Sequence, residues 1–112
     1  MTEIIEIAHR HGLLVIEDAC EALGAEVGGK KAGTFGDVGV FGFYPNKQIS
    51  TAEGGMAVTQ NAEVAARIRS LRNHGRSAAT RGCECGEVGY NCRLSELHCA
   101  LGVEQLGAWM PS

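Results

Sequence analysis

Lys47 follows an apolar run, VGVFGFY (38–44), on a turn made by Pro45 and Asn46, and precedes the glycine-rich segment TAEGG (51–55). A lysine in that setting is expected to be partly desolvated, which lowers its pKa and leaves an amine able to attack a carbonyl. Taken alone, a loop lysine is more commonly a solvated surface residue, so its neighbours must carry the assignment. Asp18 closes a second apolar run, LLVI (13–16) followed by Glu17, and open α/β sheets place ligand-binding groups at the carboxyl ends of their strands. A carboxylate there can pair with a protonated ring nitrogen or can cap a following helix. Glu21, three residues on, either completes a capping box with Asp18 or lies along the same ligand; the spacing favours the cap. Cys83, Cys85, Cys92 and Cys99, with His74 and His98, hold metal-ligating atoms, but Cys83 and Cys85 form a CxC rather than the CxxC knuckle of structural zinc sites. Free thiols and no bound metal are therefore expected, and Cys20 is read as a packing residue.

These groups need elements to hold them. Ile4, Ile5 and Ala8 recur at helical spacing over residues 2–10, with Gly12 as a stop. Residues 13–16 then read as a buried parallel strand, residues 38–44 as a second buried strand and GMAVT (55–59) as a shorter third. Val64, Ile68 and Leu71 predict an amphipathic helix over residues 62–73, with Glu63 and the arginines Arg67, Arg69 and Arg72 on its polar face. Residues 74–89 have no periodicity and read as a long mobile loop. Leu94, Leu97 and Leu101 return to helical spacing over residues 94–106. Helix, short turn and buried strand make an α/β unit.

The 112 residues suffice for one modest domain. Hydrophobic content of 45% with 21% charged residues is ordinary for a globular protein, and no stretch reaches the length of a membrane span. A net charge of -3 argues against nucleic-acid binding, which needs a concentrated positive face. The first residues, with Glu3 and Glu6, lack the basic start and apolar core of a secretory signal, so a cytoplasmic location with reduced thiols is expected for the five cysteines. Sixteen glycines, gathered in short strings, read as tight turns and close backbone approaches.

Four segments, VIEDACEALGA (15–25), GTFGDVGVFGFYPNKQISTAEGGM (33–56), LRNHG (71–75) and GYNCRLSELHCALGVEQL (89–106), together resemble the DegT/DnrJ/EryC1/StrS family of pyridoxal-phosphate-dependent sugar aminotransferases, in the family's order and with similar spacing. The resemblance implies an α/β fold, the central part of an aspartate-aminotransferase-like (fold type I) large domain, with a mainly parallel sheet, flanking helices and the 55–59 strand antiparallel. It implies transfer of an amino group from an amino acid, with glutamate the expected donor, to a nucleotide-linked keto sugar, within nucleotide-sugar biosynthesis for cell-surface polysaccharide. Lys47 matches the lysine that holds pyridoxal phosphate as a Schiff base and shuttles a proton between the donor Cα and the cofactor C4′. Asp18 matches the acid that pairs with the pyridine nitrogen. Glu21 falls where the family often has glutamine or another polar residue near the ring hydroxyl. Asn91 matches the asparagine that reaches the cofactor phosphate of a neighbouring subunit, which implies a homodimer; Arg93 supports that contact. The family's dehydrating branch has histidine at the position of Lys47, so amine transfer is the expected reaction.

Many relatives have serine at the position of Gly42, where its hydroxyl assists the phosphate. The resemblance further implies that residues 1–112 are a single partial large domain, without the family's N-terminal segment, which supplies a phosphate cradle and a ring-stacking aromatic, and without its C-terminal small domain. A catalytically inactive module that retains folding or dimerisation surfaces is the alternative expectation. Uncovered sheet edges and helix faces would then favour self-association.

Overall fold

The computed structural model describes residues 1–76 and 85–109. The chain divides into two compact units, one formed by Met1–Thr59 with Ser95–Ser112 and the other by Gln60–Leu94.

The first unit opens with α1 (Thr2–Arg10), ended as the sequence predicts. Gly12 adopts φ +64°, which lets its N–H reach the carbonyl of His9 at 3.1 Å and that of Leu13 reach Ala8 at 2.9 Å. That pair of bonds is the Schellman arrangement, which satisfies carbonyls otherwise left open at a helix end. The following strand, β1 (Ile16–Asp18), lies further along than the apolar run 13–16 suggested. Leu13, Leu14 and Ile16 are exposed, Leu14 by 83%, whereas Glu17 is buried. The expected buried strand is therefore corrected: β1 is paired on one side only, and alternation along it puts Glu17 and Ala19 inward and Ile16 outward.

Residues 26–31 form a hairpin of β2 (Glu26–Val27) and β3 (Lys30–Lys31). Gly28 and Gly29 at its tip both have positive φ, 59° and 77°, as a two-residue type I′ turn requires. Across it Lys31 pairs with Glu26, and the Lys30 ammonium lies 4.9 Å from the centroid of the Phe35 ring. The chain then enters β4 (Val38–Gly42), which pairs parallel to β1 with Asp18 opposite Val40, and antiparallel to β5 (Gly55–Val58) with Gly42 opposite Gly55. The result is a three-stranded mixed sheet in the order β1-β4-β5. Gly39 in β4 has to be a glycine, because a Cβ there would collide with the backbone of Gly33. Buried Ala8, Ala19, Phe41, Ile49 and Thr51 form the interior of this unit.

Glu17 organises the approach to β4. Its Oε1 accepts the Gly33 N–H at 2.7 Å and its Oε2 accepts those of Phe35 at 2.8 Å and Gly36 at 3.4 Å. A buried carboxylate is tolerated because these backbone donors replace its lost hydration. The last element of the unit, α3 (Glu96–Trp109), starts where the Ser95 hydroxyl accepts the His98 N–H at 3.3 Å. It leans on the 50–51 segment through Gln105, whose Oε1 accepts the Ser50 N–H at 3.3 Å. None of its residues is buried.

The second unit contains α2 (Ala62–Leu71), two residues shorter than predicted. The Asn61 carboxamide oxygen caps it, accepting from Glu63 N at 2.9 Å and Val64 N at 3.2 Å. Beyond it, Asn73 and Asn91 form a bridge, flanked by bonds from His74 N to Tyr90 O at 2.9 Å and from Tyr90 N to Leu71 O at 2.8 Å. Residues 77–84 of the expected 74–89 loop lie outside the described residues; residues 89–92 are tied to the end of α2 rather than loose.

Candidate active site

The loop that carries Lys47 begins as β4 ends. Phe43 extends the ladder by one residue, donating its N–H to Gly54 O at 2.9 Å, while its carbonyl accepts the Thr51 N–H at 2.9 Å. Lys47 N donates to Tyr44 O at 2.9 Å, closing the Pro45-Asn46 turn. Buried Ile49 and Thr51 anchor the far side, and Thr51 Oγ1 donates to Glu53 O at 2.7 Å. Ala52 takes φ +65°, a left-handed conformation unusual for a residue with a Cβ, and its N–H is held by Ser50 Oγ at 3.0 Å. Nothing in the residue type of Ala52 signals this backbone.

The Lys47 side chain turns back over the carboxyl end of β4. A Cβ on Gly42 would sit 3.5 Å from both Lys47 Cε and Cys20 Sγ, so the two side chains converge on that strand end at ordinary packing distance. Only 15% of the Lys47 side chain is exposed, against 70% for Glu21, with which its ammonium forms an ion pair. Gln48 Nε2 donates to the Glu21 carbonyl at 2.7 Å, fixing that residue's backbone beside the lysine loop. Asp18, at the end of the neighbouring parallel strand, accepts the Cys20 N–H at Oδ1 at 3.1 Å. The bond spans two residues, which makes an Asx turn. No helix follows, so neither Asp18 nor Glu21 is a helix cap, and the spacing argument for a capping box is corrected.

Charge follows from these contacts. Bonds from the Cys20 thiol and then its backbone N–H hold the Asp18 carboxyl below the usual aspartate range, and the Lys47 charge adds to this. The same Asp18 contact pushes the Cys20 thiol up. Lys47 is raised above its ordinary value by the Glu21 carboxylate, which outweighs the opposing effect of burial. The expectation of a desolvated lysine with a lowered pKa is therefore overturned: the side chain is sheltered, but an exposed carboxylate pairs with its ammonium.

Asn91 belongs to the second unit. Its Oδ1 accepts from Arg93 Nε at 2.8 Å, and among the described residues its amide nitrogen remains available as a donor on an exposed residue. Arg93 Nη2 lies 3.5 Å from His74 Nε2, and His74 is held at φ +62°. Arg93 thus orients the asparagine, a role the sequence suggested only as support. Sequence reasoning gave Glu17 no structural part and treated Cys20 as packing alone. A charged residue inside an apolar run, ahead of a glycine-rich loop, was the available signal for Glu17. Cys20, Cys92 and Cys99 are free thiols, Cys83 lies outside the described residues, and among the described residues no three His, Cys, Asp or Glu side chains are grouped to hold a metal.

An amine and a carboxylate held ionised, presented from adjacent parallel strand ends, suit a ligand with a carbonyl at one end and a protonated ring nitrogen at the other. Residues 1–109 match the DegT/DnrJ/EryC1/StrS aminotransferase family. GDP-perosamine synthase of Caulobacter vibrioides is 46% identical over 106 residues, covering 95% of this chain and 28% of that enzyme. A DegT DnrJ EryC1 StrS aminotransferase from Brucella abortus superposes with a TM-score of 0.89 at 34% identity, covering 96% of this chain and 29% of its own. An E. coli GDP-4-keto-6-deoxy-D-mannose-3-dehydratase with bound hydrated PLP superposes at 0.84 with 31% identity, covering 96% of this chain and 32% of its own. The chain spans under a third of the length of these relatives. On the extent of the family match, this chain belongs to the DegT/DnrJ/EryC1/StrS aminotransferases.

Proposed function

We propose that this chain is part of the cofactor-binding domain of an enzyme that transfers an amino group from an amino acid, with glutamate the expected donor, to a nucleotide-linked keto sugar. The observation that carries the reading is the placement of Lys47 and Asp18 at the carboxyl ends of the neighbouring parallel strands β4 and β1. The residues fit pyridoxal phosphate: Lys47 supplies the amine, Asp18 an ionised carboxylate for the ring nitrogen, and Gly42 puts no side chain on the strand end beside Lys47 and Cys20. When bound, the cofactor supplies an electron-withdrawing ring that stabilises negative charge at the donor Cα. Asp18 would keep that ring nitrogen protonated. Lys47 Nζ would anchor the cofactor and, once displaced by the donor amine, carry the proton taken from the donor Cα. Glu21 would lie near the ring hydroxyl, and the Asn91 amide would donate to the phosphate held by a second copy. That last role requires a homodimer, an assembly that the exposed apolar surface of α3 favours. The pathway served would be cytoplasmic nucleotide-sugar synthesis for cell-surface polysaccharide; among the described residues no helix is long and apolar enough to cross a membrane.

The test is to mix the purified chain with pyridoxal phosphate, follow the absorbance band of the lysine-bound cofactor, trap the adduct with borohydride and map it by mass spectrometry. The adduct is expected on Lys47 and absent in Lys47→Ala. Failure to form a Lys47-dependent adduct at saturating cofactor would overturn independent cofactor binding and favour the alternative of an inactive module.

A further inference from the structure

We infer that Glu21 is a positioning residue for Lys47: its carboxylate holds the lysine as an ammonium at the strand end and so sets the pH at which Lys47 begins to capture an aldehyde. The inference rests on the reading of Lys47 as the cofactor-bearing residue and adds what controls its availability.

Three observations carry it. The partners are unequally exposed, 15% for Lys47 and 70% for Glu21, so the carboxylate can swing into solvent while the amine stays over Gly42. The Glu21 backbone is tied to the lysine loop by the bond from Gln48 Nε2 at 2.7 Å, so the carboxylate returns to the same place. Among the described residues, the charged and titratable groups acting on Lys47 are Glu21, Cys20 and Asp18, all from the segment that follows or ends β1. Of these, Glu21 makes the direct ion pair, and its effect on the ammonium is the largest. Asp18 accepts the Cys20 N–H and makes no ion pair with the Lys47 ammonium among the described residues.

An ammonium has no lone pair, so capture has a fixed order. Lys47 first leaves Glu21 and gives one proton to the bulk buffer; its nitrogen then bonds to the aldehyde carbon, and the carbonyl oxygen departs as water after taking up two hydrogens, one from the nitrogen and one from the buffer. The exposed Glu21 is then free to turn toward another partner. The ion pair thus protects the amine from stray aldehydes without preventing reaction at higher pH.

The test uses formaldehyde with a borohydride donor as the aldehyde probe, with site-resolved mass spectrometry of methylation at Lys47, Lys30 and Lys31 across a pH series, for the wild-type chain, E21Q and E21D. Replacing the carboxylate by a neutral amide is expected to move the Lys47 midpoint to lower pH and to raise its methylation rate below that midpoint by about two- to fivefold, the range an exposed ion pair supports. E21D, which keeps the charge, is expected to stay nearer the wild type, and Lys30 and Lys31 are expected to be unchanged in all three proteins. A Lys47 profile identical in wild type and E21Q would overturn the inference, as would an equal shift at Lys30 and Lys31, which would mark a general loss of structure. Pyridoxal phosphate added in parallel separates the two readings: a shifted Lys47 profile without a Lys47 adduct in any variant supports the ion-pair control and overturns the cofactor assignment.

Discussion

Asp18 and Lys47 respond to pH at opposite ends of the scale. The folded chain holds Asp18 below 3.8, so its contribution to stability is complete above that value and is lost as pH falls through the lower, folded pKa. Lys47 is held above 10.5, so its contribution is complete below that value and is lost as pH rises through the higher, folded pKa. Urea-unfolding midpoints measured across pH are expected to decline at both ends, with Asp18→Asn flattening the acid decline and Glu21→Gln the alkaline one. Gly42 offers a third residue-scale prediction. A serine Cβ there would meet Lys47 and Cys20 at an ordinary 3.5 Å, so Gly42→Ser is expected to change unfolding free energy by less than about 0.5 kcal/mol. The same variant is expected to tighten pyridoxal phosphate binding in an absorbance titration, because it adds a hydroxyl at the strand end.

Glu17 shows how an element can be positioned by one side chain. It gathers three N–H groups from the loop leading into β4, so Glu17→Ala would leave buried donors without partners. The expected cost is about 2–3 kcal/mol, read from denaturant unfolding, with displacement of β4 seen as loss of slow amide exchange at Val40 and Phe41. Removal of the α2 cap by Asn61→Ala is expected to cost about 1 kcal/mol, a smaller loss because one side-chain oxygen serves exposed donors. The stop of α1 was legible because Gly12 could be read as the left-handed residue a helix end needs. The course of β1 was not, because LLVI (13–16) suits a buried strand by composition while the sheet places its pairing at Ile16–Asp18 and leaves Leu14 outside.

Large apolar side chains remain exposed at the scale of the chain. Leu97 on α3 is 83% exposed and Val103 is exposed with it, while Leu13 and Leu14, just before β1, and Ile16 at its start are uncovered. Surfaces of that character favour association. Sedimentation velocity is expected to show concentration-dependent self-association that weakens in a Leu97→Glu, Val103→Glu variant, with helical circular dichroism unchanged because both side chains point away from the unit's interior. A monodisperse wild-type monomer over the same range would contradict this.

The identities that chemistry depends on were legible in the sequence: an amine at Lys47 after one apolar run, a carboxylate at Asp18 after another, and the glycines that permit the turns between them. Those are local properties, fixed by side-chain type, periodicity and backbone freedom. The electrostatic state of the site depends on contacts made in the folded chain. Folding paired Lys47 with a carboxylate 26 positions away along the chain, turned the predicted amine into a stabilised ammonium, and converted the apparent cap at Asp18 into an Asx turn beside Cys20. The physical reason is that a pKa answers to distance and solvation in space, and the parallel register of β1 and β4 sets both.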